Sequence, residues 1–354
     1  MRMPVILLCC ALLAGCKRPV AQVPPAEKPE VSVLPKPTPA PTPTPKPTPI
    51  PGTLAWFEDA AARDDAVAQA KLGVMYFEGS GGVAKDEAKA AEWFRKAAEN
   101  GHADAQCSLG MNYAMGRGVP KDEEKAAHWL EKSAAQGQAT AQFSLALMVS
   151  GGRGVPKDDA KAADLFEKAA AQGHAVAQFN IGVMHATGRG VPKDDAKAVE
   201  WYAKSAAQGY APAEANLGGM YADGLGVERD DAKAVEWFQM AAAQGHAVAQ
   251  FNLAIRYAGG MGVAKDETRA AEWLQKSAAQ GYAAAQFNLG VMYANGIGGP
   301  RDNVRAYVWY TLAARQNDPE AVAELPVTGA LLTAEQKAEA EKILAELGGK
   351  TPGR

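Results

Sequence analysis

The chain has 354 residues, of which 47% are hydrophobic and only 7% aromatic, so it can bury a large core that is rich in alanine. Its 37 basic and 40 acidic residues are interspersed and leave a formal charge of −3. A nucleic-acid-binding protein would need a basic face, and nothing in this charge pattern provides one.

Residues 1–15 have the features of a signal peptide. Arg2 gives a positive start, and the apolar run from Pro4 to Leu13 is far shorter than the roughly 20 residues that span a bilayer. The stretch Leu13-Ala14-Gly15-Cys16 resembles the bacterial lipobox, which implies cleavage before Cys16 and lipidation of its thiol. An ordinary secretory signal or a wrongly chosen start codon is the alternative. Because Lys17 follows the cysteine, the resemblance favours the outer membrane, with the protein facing the periplasm.

Residues 16–52 combine the lipidated Cys16 with a proline-rich linker. In VLPKPTPAPTPTPKPTPIPG nearly every second residue is proline, a pattern that favours extended polyproline II over helix or strand. At about 3.1 Å per residue, such a segment could hold the rest of the chain up to roughly 100 Å from its lipid. A disordered spacer would do the same work. We therefore predict an envelope lipoprotein that is attached to the membrane by its lipid alone.

From residue 65 to residue 317 the sequence repeats itself about seven times with a period of 36. The most regular polar position is occupied by Gln106, Gln142, Gln178, Glu214, Gln250 and Gln286. The copies begin near Asp65, His102, Gln138, His174, Tyr210, His246 and Tyr282. A chain of this length would ordinarily suggest two or more domains, but a fixed period of this size predicts one helical solenoid.

Each copy is predicted to form two antiparallel helices. In the most regular copy the first helix runs from about Ala249 to Tyr257 and ends in the glycine-rich loop 259–262. Asp266 then stands at the N-cap of the second helix, and Gly281 at its C-terminal end. The corresponding N-cap residues of the other copies are Asp86, Asp122, Asp158, Asp194, Asp230 and Asp302.

The two ends of the array depart from the repeat and are predicted to be caps. Residues 53–64 match a second helix alone, since Trp56 lies 37 residues before Trp93. Residues 318–347 begin with a truncated first helix over Asp318–Leu325. A final helix then starts at Thr333 with the form of a capping box. The tail, 348–354, is predicted to be loose.

The repeated pattern A-x-A-Q-x-x-L-G-x-x-Y-x-x-G-x-G-V-x-x-D-x-x-K-A-x-x-W-x-x-K-A-A-x-x-G resembles the Sel-one-like repeat family, a relative of tetratricopeptide repeats, over about residues 55–322. The resemblance implies an all-α fold, a right-handed α-solenoid of helix-turn-helix repeats. It also implies a non-enzymatic adaptor or scaffold in protein complexes. One branch of the family bridges its helices with disulfides and is tied to penicillin or cell-wall glycan binding. This array has only Cys107, which stands where other copies carry phenylalanine and is predicted to be a buried hydrophobe.

A helical wheel places one stripe of the first helices on the groove side of a solenoid of this kind. Its first level consists of Lys71, Ser108, Ser144, Asn180, Asn216, Asn252 and Asn288. The next level includes Met148, Met184, Met220, Arg256 and Met292. Asparagine can hydrogen-bond an extended peptide and methionine adapts to varied apolar partners, so these residues are the candidate partner-binding set. In the alternative interpretation, the asparagines tie adjacent repeats together and the methionines belong to the core.

The residues do not favour catalysis. His102, His174 and His246 share one repeat position with tyrosine and glutamine, which suits packing at a turn better than metal ligation. No His-x-x-x-His, Cys-x-x-Cys or nucleophile-elbow pattern occurs, and the recurring Gly-x-Gly loops are predicted to be turns. We therefore expect no enzyme activity, no cofactor and no metal.

These observations predict an envelope scaffold that holds a partner protein or an extended peptide by shape, with no nucleic-acid partner. The rival interpretation is a module that binds cell-wall glycan in the same groove. A remote third is hydrolysis of a β-lactam or a cell-wall amide, for which no nucleophile–base pair can be named. The array could also be purely a spacer.

Overall fold

The computed structural model describes residues 50–348, and within that range every regular element is an α-helix. The helices are α1 (Leu54–Ala61), α2 (Ala66–Glu78), α3 (Glu87–Glu99), α4 (Ala103–Met115), α5 (Glu123–Ala135), α6 (Ala139–Gly151), α7 (Asp159–Ala171), α8 (Ala175–Thr187), α9 (Asp195–Ala206), α10 (Ala211–Asp223), α11 (Asp231–Ala243), α12 (Ala247–Gly259), α13 (Glu267–Ala279), α14 (Ala283–Asn295), α15 (Asn303–Ala314), α16 (Pro319–Ala330) and α17 (Ala334–Gly348). The all-α prediction is confirmed. The predicted signal peptide, Cys16 and the linker up to residue 49 lie outside the described residues, as does the tail from residue 349.

The helices α2 to α15 form seven consecutive pairs, one for each repeat. Within a pair we call the even-numbered helix the first helix and the odd-numbered helix the second helix. Each second helix packs on its own first helix and on the first helix of the next repeat. First helices also approach one another, as α2 does α4, whereas within residues 50–348 no two second helices approach as closely. We call the side of the array that is formed by the first helices the inner side, and the side that is formed by the second helices the outer side.

The second helices begin as predicted, at an aspartate N-cap. The Asp122 carboxylate accepts a hydrogen bond from the Lys125 backbone N–H at 2.9 Å, and this bond is the chief reason why the pKa of Asp122 is lowered. The six equivalent aspartates cap their helices in the same way, as Asp86, Asp158, Asp194, Asp230, Asp266 and Asp302. Lys121 pairs with Glu123, the residue after the cap, at 3.0 Å. The charged runs in these loops are thus helix caps with exposed ion pairs, each of which contributes less than about 1 kcal/mol.

The Gly-x-Gly loops are confirmed as turns, and their two glycines do different work. Gly260 ends α12 in the left-handed conformation with φ of 66°. Gly262 also has positive φ, and a Cβ atom at this position would overlap the carbonyl oxygen of Asp231 in the preceding repeat. The second glycine is therefore needed because the loop of one repeat lies directly on the backbone of the previous repeat.

The core between the two helices of a repeat combines large and very small residues. Leu217 and Phe238 of the fifth repeat are 1% and 2% exposed, and the Phe238 ring lies so close to Gly218 that a Cβ atom there would contact it at 2.8 Å. Cys107 is buried in this core as predicted, and burial, with a smaller effect of Asp104, raises the pKa of its thiol to about 11. Its role is packing.

The ends of the array differ in part from the predictions. At the start of the described residues, Phe57 of α1 is half-buried, whereas its equivalent Phe94 is 4% exposed, because within residues 50–348 no first helix precedes α1. At the C-terminus, the predicted truncated helix continues through Pro326 to Ala330. The predicted capping box is present, since the Gln336 N–H donates to Thr333 Oγ1 and the Thr333 N–H donates to Gln336 Oε1. Within residues 50–348, no helix is long and apolar enough to cross a bilayer.

Candidate functional site

One predicted polar residue of each first helix lines the inner side of the array. We call this set the asparagine row, and it consists of Lys71, Ser108, Ser144, Asn180, Asn216, Asn252 and Asn288. Lys71 is exposed and the other six are half-buried. The Asn180 side-chain amide donates to the Val176 carbonyl of its own helix at 2.7 Å, and Asn288 makes the same bond at 2.8 Å. These bonds orient the amides and leave their carbonyl oxygens and second N–H groups for other partners.

Among residues 50–348, the asparagine row makes one hydrogen bond between repeats. Asn216 of α10 is hydrogen-bonded to the hydroxyl of Tyr202 in α9, the second helix of the preceding repeat. Burial raises the pKa of Tyr202 to about 12, and this bond opposes the rise. The alternative interpretation, in which the asparagines tie adjacent repeats together, therefore describes Asn216, whereas Asn180 and Asn288 bond within their own helices.

The second predicted level is not open to a partner, and this part of the prediction is corrected. Its methionines are buried, with exposures of 3% for Met148, 0% for Met184, 7% for Met220 and 6% for Met292. The reason is that the loop after the first helix folds back over this position, so that the Met292 methyl group lies beside Gly298. Arg256 occupies the same level with a side chain that is 13% exposed. It pairs with Asp231 of the preceding repeat at 2.6 Å and therefore stabilises the array.

The two faces of the array differ in charge. Apart from His185, the seven first helices together carry only six acidic or basic residues, namely Lys71, Glu78, Asp104, Glu214, Asp223 and Arg256. The single second helix α3 carries as many, namely Glu87, Lys89, Glu92, Arg95, Lys96 and Glu99. On the first helices, Val67, Met115 and Leu147 are exposed apolar side chains. The inner face is therefore nearly uncharged, with amides and hydroxyls beside accessible apolar groups.

The regularly spaced glutamines have a structural role that the sequence reasoning missed. Gln106 is 5% exposed, and its Nε2 donates to the Ala98 carbonyl at the end of the preceding second helix, at 3.0 Å. Its Oε1 accepts from Gln136 Nε2, at the end of its own second helix, at 2.7 Å. One buried amide thus joins the ends of three helices. We call this arrangement the glutamine joint, and it recurs at Gln69, Gln142, Gln178, Gln250 and Gln286.

The joint between the fourth and fifth repeats has glutamate instead. Glu214 is 3% exposed and accepts a hydrogen bond from Gln244 Nε2 at 2.8 Å. An ionised carboxylate cannot donate to the preceding second helix, as the glutamines do at the other joints. Burial raises the pKa of the Glu214 carboxyl, and the bond from Gln244 opposes this effect. Here α9 is also shorter, with 12 residues against 13 in α5, α7, α11 and α13.

The shared histidine position is an N-cap. The Nδ1 atoms of His102, His174 and His246 accept backbone hydrogen bonds at 3.2 to 3.3 Å at the start of their first helices. Burial lowers the pKa of His174 and of His246, because it disfavours the charged imidazolium. Within residues 50–348, no group of three or more histidine, cysteine, aspartate or glutamate side chains is placed to hold a metal ion.

Comparison with known proteins places this arrangement in a family. The Sel1 repeat matches seven times, over residues 66–102, 103–138, 139–174, 175–210, 211–246, 247–282 and 283–318. A solved Sel1 repeat protein from Oxalobacter formigenes is 37% identical, with a TM-score of 0.62, and the match covers 77% of this chain and 78% of that one. A protective antigen present in uropathogenic Escherichia coli strains, which displays an SLR fold, is 32% identical. That match covers 84% of this chain and 79% of the antigen, with a TM-score of 0.41.

Among curated proteins no match is found. Sel1 repeat proteins generally mediate protein–protein interactions, and their scaffolds are typically non-catalytic. The family expected from the repeat pattern is confirmed by the seven matched units and by the identity to a solved relative. The chain belongs to the Sel1 repeat family.

Proposed function

We propose that this protein is a non-enzymatic scaffold of the bacterial envelope, which holds an extended segment of a partner protein along its inner face. The observation that carries the proposal is the asparagine row on a nearly uncharged surface. The row offers one polar side chain per helix pair, and two of its members, Asn180 and Asn288, are fixed by bonds to their own helices. An extended peptide offers backbone N–H and C=O groups that such a row of amides can bind.

The lining of this face favours a protein partner. Met115 is 50% exposed and Leu147 is 38% exposed on helices that also carry Ser108 and Ser144 of the row. Apolar side chains beside fixed polar groups suit a peptide, which presents both kinds of surface. A cell-wall glycan in the same groove remains the rival occupant, and the test below separates the two.

The location belongs to the same proposal. The lipobox-like stretch ending in Cys16 supports a lipid anchor, and the several acyl chains of a mature lipoprotein would hold stably. The proline-rich linker would place the array away from the membrane surface. Lys17 supports the outer membrane, with the array facing the periplasm.

Replacing Cys16 by serine should abolish incorporation of labelled palmitate and move the protein to the soluble fraction. Unchanged labelling of that variant would remove the anchor from the proposal.

The partner is tested by affinity capture of the full lipidated chain from an envelope extract in mild detergent. Wild type is compared with Asn180→Ala/Asn252→Ala/Asn288→Ala, which leaves Asn216 and its bond to Tyr202 in place. A matched control, Glu200→Ala/Gln239→Ala/Gln275→Ala, removes exposed polar groups from the second helices. We expect one defined protein in near-stoichiometric amount with wild type and control, and about tenfold less with the asparagine variant, the effect of losing about 1.4 kcal/mol.

Two outcomes would contradict the proposal. Unchanged capture by the folded asparagine variant would remove the inner face as the binding surface. Recovery of muropeptides or other glycan with no stoichiometric protein would replace the scaffold by the rival glycan-binding function. Folding of every variant is checked by circular dichroism, so that a lost partner is not the result of a lost fold.

A further inference from the structure

The outer side of the array has a groove that the proposed function does not use. It lies between the second helices α3 and α5, is bounded on one side by the loop that precedes α5, and has a volume of about 620 Å³. Trp129, which is half-buried, contributes most of its aromatic surface, because Tyr113 also lines the groove but is only 8% exposed. Val119 and Pro120 contribute aliphatic surface from the loop. The groove is far from the nearly uncharged inner face, since it is built on the charged second helices.

The aromatic side chains of this groove are held by their neighbours. The Lys125 ammonium lies 5.6 Å from the centre of the Tyr113 ring, and the Lys132 ammonium lies 4.6 Å from the Trp129 ring. The His128 ring meets Trp129 edge-on, with 5.4 Å between the ring centres. Trp129 is half-buried, so one part of its ring is fixed while another part remains accessible. A fixed aromatic surface beside several donors is suited to a ligand that has both charge and apolar groups.

Most of the charges around the groove are already paired. Asp122 pairs with Lys125 at 2.9 Å, and Lys121 pairs with Glu123 at 3.0 Å. Arg95, in contrast, forms no ion pair with any residue in the part of the chain that the structure describes. The lining as a whole holds three cationic side chains, Arg95, Lys121 and Lys125, against the two carboxylates of Glu99 and Asp122, so it keeps one positive charge in excess, and His128 adds an N–H donor.

The two unpaired basic positions distinguish this groove from the equivalent positions of the other repeats. The residues that correspond to Arg95 are Glu131, Glu167, Ala203, Gln239, Gln275 and Thr311. The residues that correspond to His128 are Glu92, Asp164, Glu200, Glu236, Glu272 and Val308. The fold therefore tolerates acidic residues at both positions. Basic side chains at both sites are a local property of this groove, beyond what the stacking of repeats requires.

We propose that the groove between α3 and α5 binds an acidic peptide segment of a partner protein. In this arrangement Arg95 and His128 donate hydrogen bonds to carboxylates of the peptide, and an apolar side chain of the peptide packs on Trp129 and Pro120. Charge complementarity is the basis for this choice of occupant. The surface is separate from the asparagine row, so the same chain could hold a second partner on its outer side.

The test uses the full chain in mild detergent and a fluorescein-labelled heptapeptide that alternates glutamate and phenylalanine, with binding followed by fluorescence anisotropy. The main variant is Arg95→Glu/His128→Glu, which introduces residues that other repeats carry at these positions and should therefore fold. We expect binding by wild type and at least about tenfold weaker binding by this variant. Asn180→Ala/Asn252→Ala/Asn288→Ala should bind the peptide normally, so failure of this inference is distinguishable from failure of the proposed function.

A second variant transfers the site. The outer surface between α11 and α13 already carries Tyr257 and Trp273, and Gln239→Arg/Glu272→His supplies the two basic groups. This variant should therefore bind about two peptides per chain where wild type binds one.

No binding by wild type at millimolar peptide would overturn the inference, as would equal binding by Arg95→Glu/His128→Glu. Equal affinity for the same peptide with glutamine replacing glutamate would also overturn it. Tighter binding of oligogalacturonate would replace the peptide by an anionic glycan.

Discussion

The glutamine joints and the glutamate joint occupy equivalent positions of the array but differ in the helix ends that they bond. At Gln178, one amide donates to the Ala170 carbonyl and accepts from Gln208, and it keeps both bonds at every pH. At Glu214, the bond from Gln244 is kept, but an ionised carboxylate has no hydrogen to donate to the preceding helix. Because each repeat contacts only its neighbours, a change at one joint stays local. An array of nearly identical units can therefore contain one joint of different stability while its fold is unchanged.

The largest expected effect comes from the contact between a loop glycine and the backbone of the preceding repeat. In Gly154→Ala the new Cβ would overlap the Glu123 carbonyl oxygen and would also strain a backbone with φ of 67°. We expect a loss of about 3 kcal/mol or more in the free energy of unfolding, measured by urea denaturation. The control is Gly173→Ala, where φ is 88° and nothing lies within 4 Å of the new atom. This control should lose only the about 1–2 kcal/mol that a non-glycine residue costs at positive φ. Equal losses in the two variants would show that the contact with the Glu123 carbonyl does not contribute.

The next effect separates a joint amide from an ordinary surface amide. Gln178→Ala removes both bonds of the joint, so that the Ala170 carbonyl keeps only the Gly173 N–H as a donor, and we expect a loss of about 2 kcal/mol in the free energy of unfolding. The exposed Gln275→Ala should change the free energy of unfolding by less than about 0.5 kcal/mol. Urea denaturation of both variants makes the comparison. A Gln178→Ala value as small as that of Gln275→Ala would mean that the glutamine row contributes little.

The third prediction converts the glutamate joint into a glutamine joint. Burial raises the pKa of Glu214 above its ordinary value of 4.5, so the native state holds this proton more tightly than the unfolded state does. The protonated Glu214 carboxyl therefore makes its full contribution to the free energy of unfolding below pH 4.5, and this contribution is lost as the pH rises through the native pKa. Glu214→Gln should therefore be more stable than wild type by about 1 kcal/mol at pH 8, with a smaller difference at pH 4. Tm measured across this range checks the sign, and a difference that is constant with pH would contradict it.

The smallest predicted effect has the opposite dependence on pH. Burial lowers the pKa of His246, and its Nδ1 atom can cap α12 only in the neutral form. The stability contribution is therefore present above the ordinary pKa of 6.5 and falls as the pH drops from there toward the native pKa. His246→Asn keeps a capping acceptor that does not titrate. Between pH 7.5 and pH 5.5 the free energy of unfolding of this variant should fall by about 0.5 kcal/mol less than that of wild type. The fall in Tm over the same pH range measures the difference. Parallel losses would show that His246 does not carry this dependence.

Much of the fold follows from short-range chemistry that the sequence displays directly. The period predicts the number of repeats, Asp266 predicts a helix start, and the Thr333 capping box predicts another. Helix ends are less accurate, since α12 runs from Ala247 to Gly259, two residues beyond the predicted limits at each end. Capping and turn residues identify where a helix begins, whereas the final turn depends on what packs against it.

The candidate site was harder to predict because it depends on neighbouring units. A helical wheel correctly places Asn180 on an accessible side, but it cannot show that the next loop covers Met184. The glutamine spacing is visible in the sequence, yet the partner of Gln142 is Gln172, thirty residues later on another helix. The basic residues Arg95 and His128 differ from the residues at the same positions of the other repeats, and this difference is seen only when all repeats are aligned.

The glycine contact between repeats has a consequence for how this kind of protein changes over generations. Gly262 contacts the backbone of the preceding repeat, so this contact between units depends little on which side chains the preceding unit carries. After duplication or deletion of a 36-residue unit, the two repeats that become neighbours would make the same backbone contact. Unequal recombination within such a gene can then lengthen or shorten the protein in whole steps. The distance between its ends is therefore easier to alter by copying than any single surface is by mutation.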